Sequence, residues 1–317
     1  MRAYILRRLL LVIPTVLIVS LIVFFMIRLI PGSIVDTMVA QYQYVTQLDK
    51  QAIEHSLGFD VPLIVQYGRW IGQIFLHGDL GKSLWTKTPI INEIKARWPV
   101  TLELGILGII IAQLIALPVG IYSAIRQDKV GDYFARSFAI LLIAIPNFWV
   151  ATMVIVFPSL WWGYMPSIRL IRFTADPIGN LKMFIIPAIV LGMEFSGMTM
   201  RMTRTMMLEV LRQDYIRTAW AKGLEERVVI MRHALKNALI PVITIIGWQL
   251  PVLIGGTVII ENIFQLPGMG QLIINATQQR DYTVVSAVLF LFAFVILLIN
   301  LLVDMTYAFL DPRIHFK

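Results

Sequence analysis

Six long apolar runs constrain this chain more than any other feature. They extend from Leu9 to Ile27, Thr101 to Ile125, Phe134 to Phe157, Phe184 to Met200, Ala238 to Ile260 and Val284 to Phe309. A bilayer core of about 30 Å takes about 20 helical residues to cross, so each run reads as a membrane span. Composition agrees: 58% of the 317 residues are hydrophobic, 15% are charged, and the mean hydropathy is +0.77. Such a chain is too apolar for an ordinary soluble domain. The net charge of +8 does not point to nucleic acid, because the basic residues sit beside the apolar runs. The absence of cysteine excludes thiolate metal sites, redox pairs and disulfides.

The flanking charges set the orientation. Arg2, Arg7 and Arg8 precede the first run, which is longer than a signal-peptide core and is followed by no small-x-small cleavage site. A retained first span with a cytoplasmic N-terminus is expected, with Arg28 snorkelling outward. The link from Arg126 to Tyr133 then falls inside, as does the link from Arg201 to Lys236, where eight basic residues face four acidic ones. Six spans return the C-terminus, with Arg313 and Lys317, to the cytoplasm.

Between the first two spans, residues 33–98 hold six basic and six acidic residues, with breaks at Gly58, Pro62 and Gly78. This neutral stretch suits a small, helical extracytoplasmic subdomain. Its segment His77-Gly78-Asp79-Leu80-Gly81-Lys82-Ser83 ends like a phosphate loop, but Leu76 occupies the place of the first glycine, and an ordinary turn is expected. Between the last two spans, Phe264, Leu266 and Met269 stay apolar among Pro267, Gly268 and Gly270. That loop could meet a neighbouring subunit, fold toward a pore, cover a docking surface, or lie buried as a turn in its own bundle.

The charged interruption from Leu208 to Pro241 is the most distinctive link. Ile216, Ala219, Trp220, Gly223 and Leu224 recur at i, i+3, i+4, i+7 and i+8, one narrow face of a helix, while Arg217, Lys222, Glu225 and Glu226 point elsewhere. Gly223, costing roughly 1 kcal/mol within a helix, divides the segment into two short helices, by a tight turn or a close backbone approach. The pattern fits a docking surface; it fits an amphipathic helix lying on the headgroups equally well.

Polar residues at membrane depth are few: Gln113, Asn147, Glu194, Gln249 and Asn300. Such groups face a bundle interior or a water-filled path. Asn147, Gln249 and Glu261 are candidates for a translocation path. Gln113 and Asn147 otherwise read as interhelical hydrogen-bonding groups, and Glu194 as a neutral or interhelically bonded glutamate. His55, His77, His233 and His315 all fall in loops or ends, which argues against a proton-coupled carrier. No HExxH, no G-x-S-x-G, no complete phosphate loop and no metal-ligand cluster is present, so neither catalytic chemistry nor a bound metal is expected.

Several motifs resemble those of a known family. Thr218 and Ala219, followed by Trp220, Ala221, Lys222 and Gly223, match the cytoplasmic loop signature of the inner-membrane permeases of bacterial binding-protein-dependent ABC importers. Arg217 stands where the general signature has glutamate, and His233-Ala234-Leu235-Lys236 replaces its later element. Both departures, with Asp214-Tyr215-Ile216-Arg217-Thr218-Ala219, resemble the dipeptide, oligopeptide and nickel branch. Further matches are Arg28-Leu29-Ile30-Pro31-Gly32, Leu57-Gly58-Phe59-Asp60-Val61-Pro62, Gly78-Asp79-Leu80-Gly81, Ile145-Pro146-Asn147-Phe148-Trp149, Glu261-Asn262-Ile263-Phe264 and Pro267-Gly268-Met269-Gly270. Ser33 replaces an aspartate frequent in the family, so that corner is expected to bend differently.

The resemblance implies an all-α, six-span permease with the type I importer (MetI-like) fold in a bacterial inner membrane. It divides the chain into residues 1–32, an insert over 33–98, and a five-helix core over 99–317. It implies a homologous second permease, two cytoplasmic ATPases carrying ATP and Mg, and an extracytoplasmic substrate-binding protein, with peptides as cargo. The segment Asp214, Tyr215, Ile216, Arg217, Thr218, Ala219, Trp220, Ala221, Lys222, Gly223, Leu224 would couple to the ATPases, with Ile216, Ala219 and Trp220 entering a groove and Ala219 and Gly223 allowing close approach. Nickel, glutathione or another small solute remains an alternative cargo. The rival classes are a secondary carrier or channel without ATPase partners, and a membrane scaffold or sensor.

Overall fold

In the computed structural model, which describes residues 2–29, 55, 60–163 and 169–310, regular structure is helical apart from one isolated bridge between Lys82 and Pro89. The helices are α1 (Arg2–Arg28), α2 (Leu63–His77), α3 (Ile90–Ile125), α4 (Val130–Ala144), α5 (Asn147–Trp162), α6 (Pro177–Leu211), α7 (Asp214–Ala221), α8 (Glu226–Ile263), α9 (Met269–Gln278) and α10 (Tyr282–Leu310). Five of them, α1, α3, α6, α8 and α10, are long and apolar enough to cross a membrane. The corner 30–33, most of the insert between 33 and 59, and the C-terminal Arg313 and Lys317 lie outside the described residues.

The third apolar run differs from expectation. It is divided into α4 and α5, which meet at 91°. Pro146 causes the break: a proline pushes its predecessor out of the helical region, and Ile145 is extended at φ −88°, ψ 121°. At 15 and 16 residues, each half is about 23 Å long, too short to cross about 30 Å alone. The pair supplies a sixth span only if both halves are counted together.

The chain forms two compact units. The first comprises Thr101–Leu266 with the chain from Ile299 onward. Its central helix is α6, which packs on α8 and on α4, while α5 touches both α6 and α8. Asp176 starts α6 by accepting a hydrogen bond from the Gly179 amide at 2.9 Å, with Pro177 in the first turn. Small residues then let backbones meet. A Cβ on Gly192 would lie 2.6 Å from the Gly108 carbonyl of α3, and one on Gly197 would lie 2.6 Å from the Ala139 carbonyl of α4. Lipid supplies no hydrophobic drive between helices, so close contact of this kind is what holds a membrane bundle together.

One ion pair fastens the same helices. Asp132, fully buried in the first turn of α4, accepts from Arg204 of α6 through both oxygens at 2.8 Å. It also accepts from the Ser123 hydroxyl of α3 and from the Asp128 amide at 3.0 Å. Four donors on one carboxylate offset much of the desolvation that a buried charge incurs.

The second unit comprises Arg2–Val100 with Pro267–Leu298. Phe24 of α1 lies among Tyr67 and Trp70 of α2, with ring centroids 5.4 and 5.6 Å away, and Trp70 meets Phe290 of α10 edge-on at 5.7 Å. Arg28 packs back on its neighbours: its guanidinium lies 3.4 Å over the Phe24 ring and Nε donates to Gln66 of α2 at 3.3 Å. The loop that mimics a phosphate site is a pinned turn. Ser83 Oγ and the Leu84 amide both donate to buried Asp281, at 2.6 and 3.0 Å.

Candidate functional site

The segment between α6 and α8 is built as a short helix held on one side. Gln213 is extended at φ −73°, ψ 149° and starts α7, whose eight residues end before Lys222. Gly223 turns the chain at φ +75°, in the left-handed region where residues with a Cβ are strained, and α8 begins at Glu226. The division at Gly223 is therefore a conformational requirement. Within this chain, a Cβ there would meet nothing within 4 Å. No described residue of this chain makes a close approach to Gly223.

The narrow apolar face of α7 turns inward. Ile216 and Ala219 are buried in one cluster with Ala124 of α3, Met207 of α6, and Val229, Ile230, Ala234 and Ala238 of α8. They are thus not the residues that α7 presents outward, which corrects the sequence reading. An eight-residue helix has little intrinsic stability in water, so a buried apolar side is what orders it. A second fastening comes from Tyr215, whose hydroxyl accepts from Asn237 Nδ2 at 2.7 Å. The stretch of α8 beneath it, Val229–Ala234, is a π-helical turn, a distortion that recurs at functional places in helices.

What α7 and the turn after it expose is a mixed surface. Tyr215 is 42% exposed, Trp220 44% and Leu224 36%. Around them Asp214, Arg217, Thr218, Ala221, Lys222 and Gly223 are exposed as well. Arg217 pairs with Asp214 at 3.1 Å, but both side chains are solvated and such a pair adds little stability. Thr218 Oγ1 caps inward onto the Asp214 carbonyl at 3.0 Å. Trp220 and Leu224 are large apolar groups that the described residues leave partly exposed on this surface.

The polar residues of the spans separate into two sets. Gln249 is fully buried, donating to Thr199 Oγ1 at 3.1 Å and to the Phe195 carbonyl at 3.4 Å. Glu261 is fully buried too and accepts from Thr101 Oγ1 at 2.6 Å. Asn147 is half-buried at the start of α5, directly after the Pro146 break. These three candidates are not brought together. Glu194, by contrast, is exposed on α6, and the two amide atoms of Gln113 on α3 are buried without a hydrogen-bond partner among the described residues. Among the described residues, the interhelical hydrogen bond expected of Gln113 is not made.

Sequence reasoning passed over Asp132, Arg136, Arg201 and Arg204. An aspartate opening an apolar run was the signal available, but its partner is 72 residues away. The apolar loop after α8 resolves simply, as Phe264, Leu266 and Met269 are all buried.

Comparison with known proteins places the chain. A family model described as "Binding-protein-dependent transport system inner membrane component" matches residues 116–316, and the corresponding N-terminal model matches residues 1–105. The chain is similar to the dipeptide transport system permease protein of Escherichia coli (strain K12), 38% identical over 340 residues, with all of both chains covered. It is also similar to an oligopeptide transport system permease protein of Bacillus subtilis (strain 168), 38% identical over 320 residues, again with both chains fully covered. Among solved structures, a chain of the inward-facing MetNI methionine ABC transporter matches with a TM-score of 0.56 at 17% identity, covering 69% of this chain and 97% of that one. This last likeness bears on fold alone.

Proposed function

The chain belongs to the family of binding-protein-dependent transport system inner membrane components, and from that premise we propose that it is one of two permease subunits of an ABC importer that takes up peptides. The full-length likeness to dipeptide and oligopeptide permeases supports the cargo class. In this reading the chain performs no catalysis. ATP and Mg belong to two cytoplasmic ATPases, a homologous second permease completes the membrane domain, and an extracytoplasmic binding protein delivers cargo. Both termini face the cytoplasm, residues 33–98 form the outer insert, and 99–317 form the core.

One observation carries the coupling role: α7 is anchored on three spanning helices by Ile216 and Ala219 while its other side presents Tyr215 and Trp220, with Leu224 exposed just after the Gly223 turn. An ATPase that grips the exposed side moves α7, and the shared cluster passes that displacement to the ends of α3, α6 and α8 together. Packed cores are bistable and shift as bodies, which suits alternating access. The π-helical turn at Val229–Ala234 is the natural place for α8 to give. Glu194 supports the existence of a further surface. A carboxylate exposed to hydrocarbon would be costly, so it faces either the second permease or the water-filled path. Asn147, half-buried beside the Pro146 break, is assigned to the path, whereas Gln249 and Glu261, buried among this chain's own helices, are assigned to its walls.

Copurification of the intact complex, followed by ATP-dependent uptake in proteoliposomes, tests this reading. An ATPase pair retained in detergent and peptide uptake that requires ATP are expected. Trp220→Ala should weaken ATPase retention about tenfold, as loss of a buried aromatic anchor does, with the thermal midpoint of the membrane domain unchanged. Uptake without any ATPase would overturn the proposal. Mass spectrometry of the ligand carried by the native binding protein decides between peptides and nickel, glutathione or another small solute.

A further inference from the structure

The turn between α3 and α4, from Arg126 to Lys129, is fastened more firmly than a surface link needs to be. Asp128 reverses the chain at φ +58°, in the left-handed region. Its amide donates to Asp132 at 3.0 Å, and that buried carboxylate is itself fixed by Ser123 and by two bonds from Arg204. At the surface, Gln127 Nε2 donates to Asp128 Oδ2 at 3.2 Å, and Gln127 Oε1 accepts from Arg212 at 3.5 Å. Arg212 caps the C-terminus of α6, just before α7 begins. The turn is thus tied to the body of α6 underneath and to the α6–α7 corner above.

Firm fastening is not matched by burial. Arg126, Gln127, Asp128, Lys129 and the Val130 that follows are all exposed, Val130 at 71%. Arg126 and Lys129 form no ion pair among the described residues, whereas the Asp128 carboxylate is held by Gln127. This ledge adjoins the exposed side of α7. Ala124, at the end of α3, lies in the cluster that buries Ile216 and Ala219, and Ile125 packs against it. Lipid headgroups do not suit such a ledge. Its bond to Arg212 sets it level with the far end of α6, and from the close of the apolar run at Met200 to Leu211 that helix extends about 16 Å. A headgroup layer is only about 5–8 Å deep. A rigid basic ledge at that height, continuous with an exposed short helix, is a surface for a soluble protein.

We propose that the ledge from Arg126 to Val130 is a second contact for the same cytoplasmic ATPase that grips α7, with Arg126 and Lys129 facing acidic side chains of that subunit. The ATPase would then hold the start of α4 as well as α7. Because Asp132 joins that start to α3 and α6, a displacement of the ATPase reaches the bent α4–α5 pair directly, and not only through the α7 cluster. The inference rests on the transporter reading for the ATPase itself and for the orientation that puts this end in the cytoplasm.

The test uses the assembled complex, both permeases with their ATPases, in which this chain carries p-benzoylphenylalanine at position 129 or, separately, at position 220. Illumination should give adducts with an ATPase subunit from both positions. Adducts with the ATPase from position 220, but only with lipid, with the second permease or with nothing from position 129, would overturn the inference and leave the transporter reading standing. A complex that retains no ATPase at all would overturn the reading itself, and this inference with it. Independently, the Arg126→Glu/Lys129→Glu variant should lower ATPase retention in detergent about fivefold at low ionic strength, a loss that added salt makes smaller relative to the unaltered chain. The thermal midpoint of the membrane domain should not move, since both side chains are exposed. Equal retention by that variant at low ionic strength would also overturn the second contact.

Discussion

Small residues occupy the contacts of α6 with its neighbours and the face of α7 alike, yet they act differently in the two places. On α6, Gly192 and Gly197 are defined by what would collide with a side chain, namely the carbonyls of Gly108 and Ala139. On α7, Ala219 is defined by the cluster that it completes, and Gly223 just beyond by its backbone angle, with nothing near it. The first region is close-packed backbone on backbone, which fixes the distance between helices. The second is a short lever fastened on one side and open on the other.

The largest effect should come from filling the first region. Gly197→Leu drives a side chain into the Ala139 carbonyl, the Leu142 Cβ and the Ile143 side chain. None of these is free to withdraw, so a loss of about 3 kcal/mol or more is expected, read as a lower thermal midpoint and a poor yield of assembled complex in detergent. A yield close to that of the unaltered chain would mean that the α4–α6 contact is looser than the geometry implies.

Ala219→Glu probes the lever. A carboxylate placed among Ile216, Met207, Val229 and Ile230 finds no partner, a cost of about 1–3 kcal/mol, and α7 should release its inner side. ATP-driven uptake should fall about tenfold or more, while the yield of the membrane domain changes less than twofold. If uptake persisted, the buried side of α7 would be an anchor without a role in transmission. Gly223→Asn should be the mildest change. Asparagine enters the left-handed region at a cost below about 1 kcal/mol, so uptake is expected to stay within about twofold. A drop as large as that of Ala219→Glu would show that the partner needs the space at Gly223, and the distinction between the two regions would collapse.

Much of this was legible in the chain. Apolar run lengths identify the spans, because bilayer thickness imposes a minimum of about 20 helical residues, and α1, α3, α6, α8 and α10 lie where those runs lie. The break at Gly223 follows from glycine in a helical pattern. The third run corresponds to a bent pair, and its 91° bend was not legible because a hydropathy window sums residues on both sides of Pro146. The periodicity of Ile216, Ala219 and Trp220 identified a face but not its direction. An apolar stripe looks the same whether it meets a partner or its own bundle.

The sequence by itself therefore determined the medium, the number of apolar runs, the basic link between two spans and the helical character of that link. Those properties depend on composition and short-range period, which are local. Only the tertiary structure decided that Ile216 and Ala219 hold α7 while Trp220 and Leu224 stay partly exposed, and that Asp132 and Arg204, 72 positions apart, close on each other. Pairing and facing are set by which backbones can approach within a few ångströms, and no local pattern encodes that distance.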